Sequence, residues 1–419
     1  MDTTLQLSGA FPADSRLTGS RIEIGGCDAV ELAREYGTPA YVVAEADLVD
    51  RARRFRAAAE ECGGDVQIAF ASKAFPCTAA MAIFAREGLW CDVASEGELH
   101  LALAAGFPAE RIVLHGNAKS ATELERALRE RVALIVVDNL DELDMLEGLA
   151  AGSRQQVLVR VTPDVRGDTH EKISTGQADS KFGMGPEEAA AALARIQGSD
   201  SLEAAGVHAH IGSQLFDLEP LRRAALALEP FAGLAVWDLG GGLAVSYNAE
   251  GATPPSIDEY VKAVVGAARE AGHPAESRLI LEPGRALVAN AGVTLYTVQS
   301  VKRNVSTWVG VDGGMSDNLR PMLYGARYEA QIADRFGGET PCNVAGKHCE
   351  SSDVIVRDAL LDDPRPGDIL VTPATGAYGH AMASNYNGIP RPPVIFCQGG
   401  DARVVVRRET FEDLTGLDA

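Results

Sequence analysis

The sequence predicts an α/β protein: a (β/α)8 TIM barrel followed by a second, mostly β domain, a β-sandwich or barrel that also takes up the N-terminal segment. Three observations predict it. Short apolar runs alternate with helical stretches from about residue 36 to 285, the patterning turns β-rich after Arg285, and 419 residues exceed what one compact domain usually holds. The expected boundaries are 36–285 for the barrel and 1–35 plus 286–419 for the β domain.

The apolar runs lie at 40–43, 67–71, 89–93, 112–114, 134–137, 157–161, 206–211, 236–239 and 279–281. Between them come Ala-, Leu- and Glu-rich segments with the helical period, such as 122–129 and 186–196. Short strands separated by helices indicate a parallel sheet covered by helices, because parallel neighbours need a long crossover. Eight or nine such units in about 250 residues fit a closed barrel better than an open doubly wound sheet, which periodicity alone leaves standing. Beyond 285 the runs at 293–302, 308–311, 354–356, 368–372, 394–396 and 404–407 are β-rich, with turn signals such as PRPGD (364–368) between them. The last helical pattern is 325–336, and 21–24 reads as a strand that joins this second domain.

A formal net charge of -21, from 59 acidic against 38 basic residues, repels phosphate backbones and anionic lipid. Nucleic acid and membrane are therefore disfavoured as partners, while a local basic pocket for a small anion remains open. The seven cysteines (27, 62, 77, 91, 342, 349 and 397) contain no C-x-x-C pair. That pattern suits a reducing cytoplasm and argues against a structural zinc site. The opening MDTTLQLSGAFPADSR lacks a basic stretch followed by an apolar run, so no signal peptide is expected, and no apolar run reaches the ~18 residues of a membrane span.

Four clusters follow barrel strands, where barrel active sites are assembled. Lys73, in IAFASKAF, is either a solvated lysine or an amine that forms a Schiff base with an aldehyde cofactor. HAHIGSQ (208–214) puts His208 and His210 on one strand face. No carboxylate or cysteine lies at a supporting spacing, so no metal is expected. An imidazole stacked on an aromatic cofactor is the sharper reading, with Gly212 and Ser213 offering an amide and a hydroxyl to a phosphate. DLGGG (238–242) lets the N–H groups of Gly240, Gly241 and Gly242 approach an anion, though three glycines also make an ordinary tight turn. It does not fit G-x-G-x-x-G, which disfavours a dinucleotide fold. LEPGR (281–285) ends the last barrel strand with Glu282, Pro283, Gly284 and Arg285. Its carboxylate can pair with a protonated pyridine nitrogen and its guanidinium can reach an anion, or the two form a salt bridge at the domain junction.

Three more clusters lie beyond 285. VDGGMSDNLRPMLYGARY (311–328) sets Arg320 and Tyr324 four residues apart, HCESSD (348–353) puts Cys349 beside Glu350, and ATGAYGHAMASNYNG (374–388) is a Gly- and Ala-rich loop containing Tyr378. Taken singly they are a helix-face pair, a cysteine that would ordinarily be buried, and a plain loop.

Together, and in this order along the chain, the seven clusters resemble the fold-type III pyridoxal-phosphate decarboxylases, most closely the members that act on diaminopimelate. ISTGQADSKFG (173–183) is similar to the stretch that such proteins carry between the lysine and histidine motifs. The resemblance implies a cofactor-holding barrel, a β domain built from both chain ends, and a homodimer that shares its active sites. It also implies pyridoxal 5'-phosphate on Lys73, with His210 stacked on its ring and Glu282 facing its nitrogen. Ser213, Gly240–Gly242, the Pro283–Gly284–Arg285 turn and Tyr378 would surround the phosphate. Arg285, Arg320, Tyr324 and Tyr378 would contact meso-diaminopimelate. Cys349 would be the proton donor and Glu350 the reader of the distal amino group, both from the partner subunit. The chemistry agrees: losing CO₂ leaves a carbanion that needs an electron sink, then an acid to protonate carbon, and a thiol ordinarily titrating near 8.5 can be that acid. Glycine is more usual than the serine after CES, a departure that touches none of these roles.

The implied product is L-lysine. The rivals are a related decarboxylase acting on ornithine, arginine or a carboxy-polyamine, a racemase on the same scaffold, and a non-catalytic homologue. The first would not need Arg320 and Tyr324 for a distal carboxylate, the second needs two opposed bases, and the third predicts loss of Lys73 or Cys349.

Overall fold

The computed structural model describes residues 6–165 and 180–419, so most of the ISTGQADSKFG stretch, 173–179, lies outside the described residues. The chain divides into two compact units: Arg51–Ala244 with Pro254–Ala286, and Met1–Asp50 with Val245–Thr253 and Leu287–Ala419.

The first unit is a closed eight-stranded barrel in which every neighbour is parallel. Its strands are β1 (Val66–Ala71), β2 (Trp90–Val93), β3 (Ile112–Leu114), β4 (Leu134–Val137), β5 (Gln155–Arg160), β6 (Leu202–His208), β7 (Val236–Asp238) and β8 (Arg278–Leu281). Eight of the nine apolar runs are these strands. The ninth, 40–43, is not. Strand Ala40–Ala44 belongs to the second unit, antiparallel to Gly292–Arg303 and parallel to Val394–Gln398. All five of its residues are buried. A strand covered on both faces has lost its alternation and reads like a barrel strand, which is why periodicity misassigned it.

Inside the barrel, Ala69, Trp90, Val113, Leu134, Val136, Leu158, Ala205, Val236 and Ile280 form one apolar cluster to which every strand contributes. Side chains alternate along a strand, so the residue two places further on faces inward again. Trp90 is followed in this way by Asp92, Val113 by His115, Val136 by Asp138, Leu158 by Arg160, Val236 by Asp238 and Ile280 by Glu282, all buried. In β6 the interval is three, from Ala205 to His208, and a bulge between Ala204 and Gly206 restores the phase. An apolar floor thus carries a ring of polar groups at the C-terminal strand ends.

Gly206 is required by this register. A Cβ there would lie 1.7 Å from the Val236 carbonyl oxygen on the neighbouring strand. Gly206→Ala is expected to cost about 3 kcal/mol or more, read as a lower unfolding midpoint, because backbone rather than a side chain must move. An unchanged midpoint would show slack in the β6–β7 pairing.

The second unit carries a mixed sheet. In order, its strands are Val354–Leu361, Thr340–Ala345, Thr307–Val311, Gly292–Arg303, Ala40–Ala44, Val394–Gln398 and Asp401–Val406, with Ile369–Thr372 also on Gly292–Arg303 and Gln331–Ile332 on Ile369–Thr372. A small sheet of Arg16–Thr18, Arg21–Ile24 and Cys27–Asp28 joins it through a core of Ile22, Ile24, Val42, Val293, Leu295 and Ile395. The helical expectation for 325–336 fails. Helix Arg320–Tyr324 stops at Gly325, whose φ of 63° is left-handed, and Gln331–Ile332 pairs as a strand instead. Among the described residues no helix is long and apolar enough to cross a membrane.

Candidate active site

The polar ring at the barrel mouth is the candidate active site. Lys73 sits in a single 3-10 turn, Ser72–Ala74, directly after β1. That turn is tied to the loop after β2: Ser72 Oγ donates to Glu98 Oε2 (3.0 Å), which also accepts from Ala94 N (2.7 Å). Lys73 Nζ lies 3.4 Å from Asp92 Oδ2, with 47% of its side chain exposed while Asp92 is buried. An amine with one foot on a buried carboxylate and the other in the opening can meet an incoming aldehyde.

Glu282, just past β8, is a buried carboxyl of the ring. His115 Nε2 lies 2.6 Å from its Oε1, without hydrogen-bond alignment, and His208 Nε2 lies 3.5 Å from its Oε2. Burial alone would raise the Glu282 pKa, but His115 and His208 outweigh it and hold the group well below the usual range, as a carboxylate. Asp238 goes the other way, pushed up by burial and by Glu282. Two adjoining buried carboxyls resist being charged together, which is why the two shifts run in opposite directions. Burial pushes His208 down to about 3 despite Glu282, so its ring is neutral at physiological pH. The carboxylates that no sequence spacing placed beside His208 are therefore supplied in space. Ligand atoms of His115, His208, Asp238 and Glu282 all lie within 4.8 Å of one another. Zinc ligands at ~2.1 Å from the metal stand roughly 3.4 Å apart, so the 2.6 Å His115–Glu282 contact leaves no room for an ion between them.

His210 is half-buried beside this cluster. Its Nδ1 accepts from Gly241 N (3.2 Å), which puts the proton of the neutral ring on Nε2; burial and then Lys73 keep its pKa well below the usual range. Gly240 and Gly242 have φ of 63° and 135°, and their Cβ atoms would lie 2.5 Å from His210 Nδ1 and 3.0 Å from the Gly212 carbonyl oxygen. Gly240 N donates to Asp238 Oδ1 (2.9 Å). Arg285 reaches Ser213 Oγ from Nε (3.2 Å) and Nη2 (3.0 Å), and Gly284 packs on Ala71 and Ala74, against the lysine turn. An amine, an anion-binding pocket of guanidinium, hydroxyl and bare backbone, and a buried carboxylate with unsatisfied polar neighbours suit a phosphorylated pyridine aldehyde.

The second unit holds the remaining candidates. Arg320 is buried, donating from Nη1 to Tyr328 OH (2.6 Å) with its guanidinium carbon 4.5 Å from the Tyr247 ring centre. Its expected companion Tyr324 closes the same helix, half-buried. The two tyrosines that hold Arg320 were missed because Tyr247 is distant in sequence and the helix ends at Tyr324, so Tyr328 comes back to Arg320 only through the turn at Gly325. Cys349 is exposed, contrary to the usual burial of a free thiol. Its loop is clasped by buried Asp353, which accepts from His348 N (3.0 Å) and Met315 N (2.8 Å) and pairs with His348 Nδ1 (2.7 Å). Cys349 N donates to Asn387 Oδ1 (3.1 Å), and Tyr386 hydrogen-bonds Glu350. Tyr378 is half-buried with φ of 61°, a left-handed position that costs a non-glycine residue about 1 kcal/mol and is typical of functional loops.

Residues 46–289 match the pyridoxal binding domain of the pyridoxal-dependent decarboxylases. The diaminopimelate decarboxylase of Bacillus subtilis is 45% identical over 95% of both chains, and that of Actinosynnema pretiosum is 45% identical over 97% of this chain and 94% of its own. The chain belongs to the diaminopimelate decarboxylase family. A solved diaminopimelate decarboxylase from M. jannaschii, in complex with L-lysine, superposes with a TM-score of 0.91 at 34% identity over 99% of both chains. The Helicobacter pylori structure with L-lysine gives 0.88 at 33%, over 93% of this chain and 98% of its own. A lysine/ornithine decarboxylase from Vibrio vulnificus, at 23% identity and a TM-score of 0.74, shares the fold. In this member of the family, motif resemblance led to Lys73, His210, Ser213, the three glycines, Glu282 and Arg285, which the barrel gathers at one mouth. It passed over Asp92, His115, Asp138, Arg160 and Asp238. Their signal was present: each follows an inward apolar residue by two places.

Proposed function

We propose that this chain decarboxylates meso-diaminopimelate to L-lysine and CO₂, the last step of lysine biosynthesis, using pyridoxal 5'-phosphate held on Lys73. One observation carries the reading: Lys73, the Ser213–Arg285 pair and the buried Glu282 carboxylate converge on one barrel mouth, in a chain 45% identical along its length to a diaminopimelate decarboxylase.

The bound cofactor supplies the electron sink for the pair of electrons left when CO₂ departs. Lys73 holds it covalently through its amine. Arg285 and Ser213 neutralise and orient its phosphate, a role that Tyr378 shares, while the Gly240–Gly242 turn gives it room. The Gly240 and Gly241 amides are engaged by Asp238 and His210, which leaves the Gly242 amide as the backbone donor. Glu282 keeps a negative charge opposite the ring nitrogen, so that a proton stays there. His210 offers the flat face of a neutral imidazole. Arg320, held between two tyrosines, and Tyr324 bind the distal carboxylate, which ornithine and arginine lack. Cys349 holds the proton destined for carbon and Glu350 reads the distal ammonium, each working in the partner subunit of a homodimer. Seven free cysteines, none in a disulfide, accord with a reducing cytoplasm.

The deciding experiment compares CO₂ release and lysine formation from meso-diaminopimelate, ornithine and arginine by the purified, cofactor-loaded protein. Preference for ornithine, or racemised substrate without CO₂, overturns the reading. Arg320→Met is expected to lower kcat/KM for meso-diaminopimelate by about 100-fold, mostly through KM, since a charge-assisted pair to the substrate is lost. Unchanged KM would remove Arg320 from the substrate site.

A further inference from the structure

We propose that His115, supported by His208 and Asp238, is the positioning device for Glu282: it fixes the carboxylate that faces the cofactor nitrogen and touches neither substrate nor cofactor itself. The inference rests on the reading of Glu282 just given.

The geometry singles out His115. A buried carboxylate is costly unless it is paired, and the usual solution is an arginine or lysine. Here the nearby basic side chains lean on other carboxylates: Lys73 Nζ lies 3.4 Å from Asp92, and Arg160 Nη1 lies 3.7 Å from Asp138. Glu282 is instead flanked by two imidazoles, at 2.6 Å on Oε1 and 3.5 Å on Oε2, whose rings meet edge to face at 4.7 Å. An imidazole presents one nitrogen to the carboxylate and leaves its remaining lone pairs open, whereas a forked guanidinium would occupy both oxygens. Glu282 can therefore be held in place and still accept another partner.

Asp238 links this carboxylate to the anion pocket. Its Oδ1 accepts from Gly240 N (2.9 Å), while its Oδ2 faces the cluster with no hydrogen bond among the described residues. Glu282 Oε1, His115 Nε2 and both ring nitrogens of His208 are likewise buried without a well-aligned hydrogen bond. Polar atoms this enclosed, on four side chains at the ends of four strands, suit a cluster completed by one more polar group. Of the two imidazoles His115 is the nearer, at 2.6 Å against 3.5 Å for His208, and it sets where the Glu282 carboxylate sits.

The test uses His115→Leu, which keeps bulk and loses the nitrogen, against His115→Gln, whose amide nitrogen reaches close to the Nε2 position. In apoprotein titrated with pyridoxal phosphate, Leu is expected to weaken binding by about 10- to 100-fold and Gln to restore it to within about threefold. In the loaded enzyme Leu lowers kcat over the same range with KM nearly unchanged, and the pH titration of the visible cofactor band shifts with Leu but not with Gln. His208→Leu, at the longer contact, should weaken cofactor binding by about threefold to tenfold and serves if the His115→Leu protein fails to fold. Wild-type uptake with an unaffected Leu variant, or equal damage from Leu and Gln, overturns the positioning role alone. A wild-type protein that takes up no cofactor overturns the parent reading as well.

Discussion

Lys73→Ala is expected to abolish lysine formation from meso-diaminopimelate, with kcat falling on the order of 10⁴-fold or more. Among the described residues Asp92, His210 and Glu282 line the opening and none forms a Schiff base, while the amine of Lys119 is buried on Glu142 and the Gly116 and Val136 carbonyls. The variant should fold normally, because the Lys73 side chain is half-exposed and its removal leaves the β1 barrel residues in place, a change worth about 0.5 kcal/mol or less. Ser213, Arg285 and the glycine backbone remain, so the variant should still take up cofactor, now reversibly. Borohydride reduction followed by mass measurement separates the cases. Wild-type protein keeps the cofactor mass and the variant does not. Lysine formation within tenfold of wild type would remove Lys73 from the chemistry.

The second large effect belongs to Cys349. Cys349→Ala is expected to lower kcat by about 10²- to 10⁴-fold, the usual worth of a positioned proton donor, with little change in KM. The loop should survive the change, since Asp353 clasps it through His348 and Met315 and Asn387 binds the Cys349 amide rather than its thiol. If Cys349 acts in the partner's site, mixing Lys73→Ala with Cys349→Ala subunits makes a hybrid dimer with one intact site and one doubly defective site. Random pairing then restores about one quarter of wild-type activity, where each variant alone is nearly inactive. No restoration in a mixture shown to exchange subunits would mean that each chain uses its own Cys349.

Much of this was legible before folding. The barrel was visible because each of its strands is a short apolar run between helical segments, and the cofactor chemistry because Lys73, HAHIGSQ, DLGGG and LEPGR each close such a run. The errors have physical causes. Strand Ala40–Ala44 is buried on both faces, so it looks like a barrel strand, yet its partners lie some 250 and 350 residues away (Gly292–Arg303 and Val394–Gln398), and pairing that distant leaves no local trace. The helical pattern at 325–336 gave way to the left-handed turn at Gly325 and to the pairing of Gln331–Ile332 with a later strand.

The sequence by itself determined which residue types reach the barrel mouth, because alternation along a strand is a local property: once Ile280 faces the core, Glu282 must face the same way. Only the tertiary structure decided what those residues meet. His115, His208, Asp238 and Glu282 come from four different strands, and closing the barrel brings their polar atoms within 4.8 Å of one another. Lys73 sharpened in the same way. As a residue it was one more lysine after a strand, and barrel closure set it beside Asp92, at the mouth that also holds Glu282.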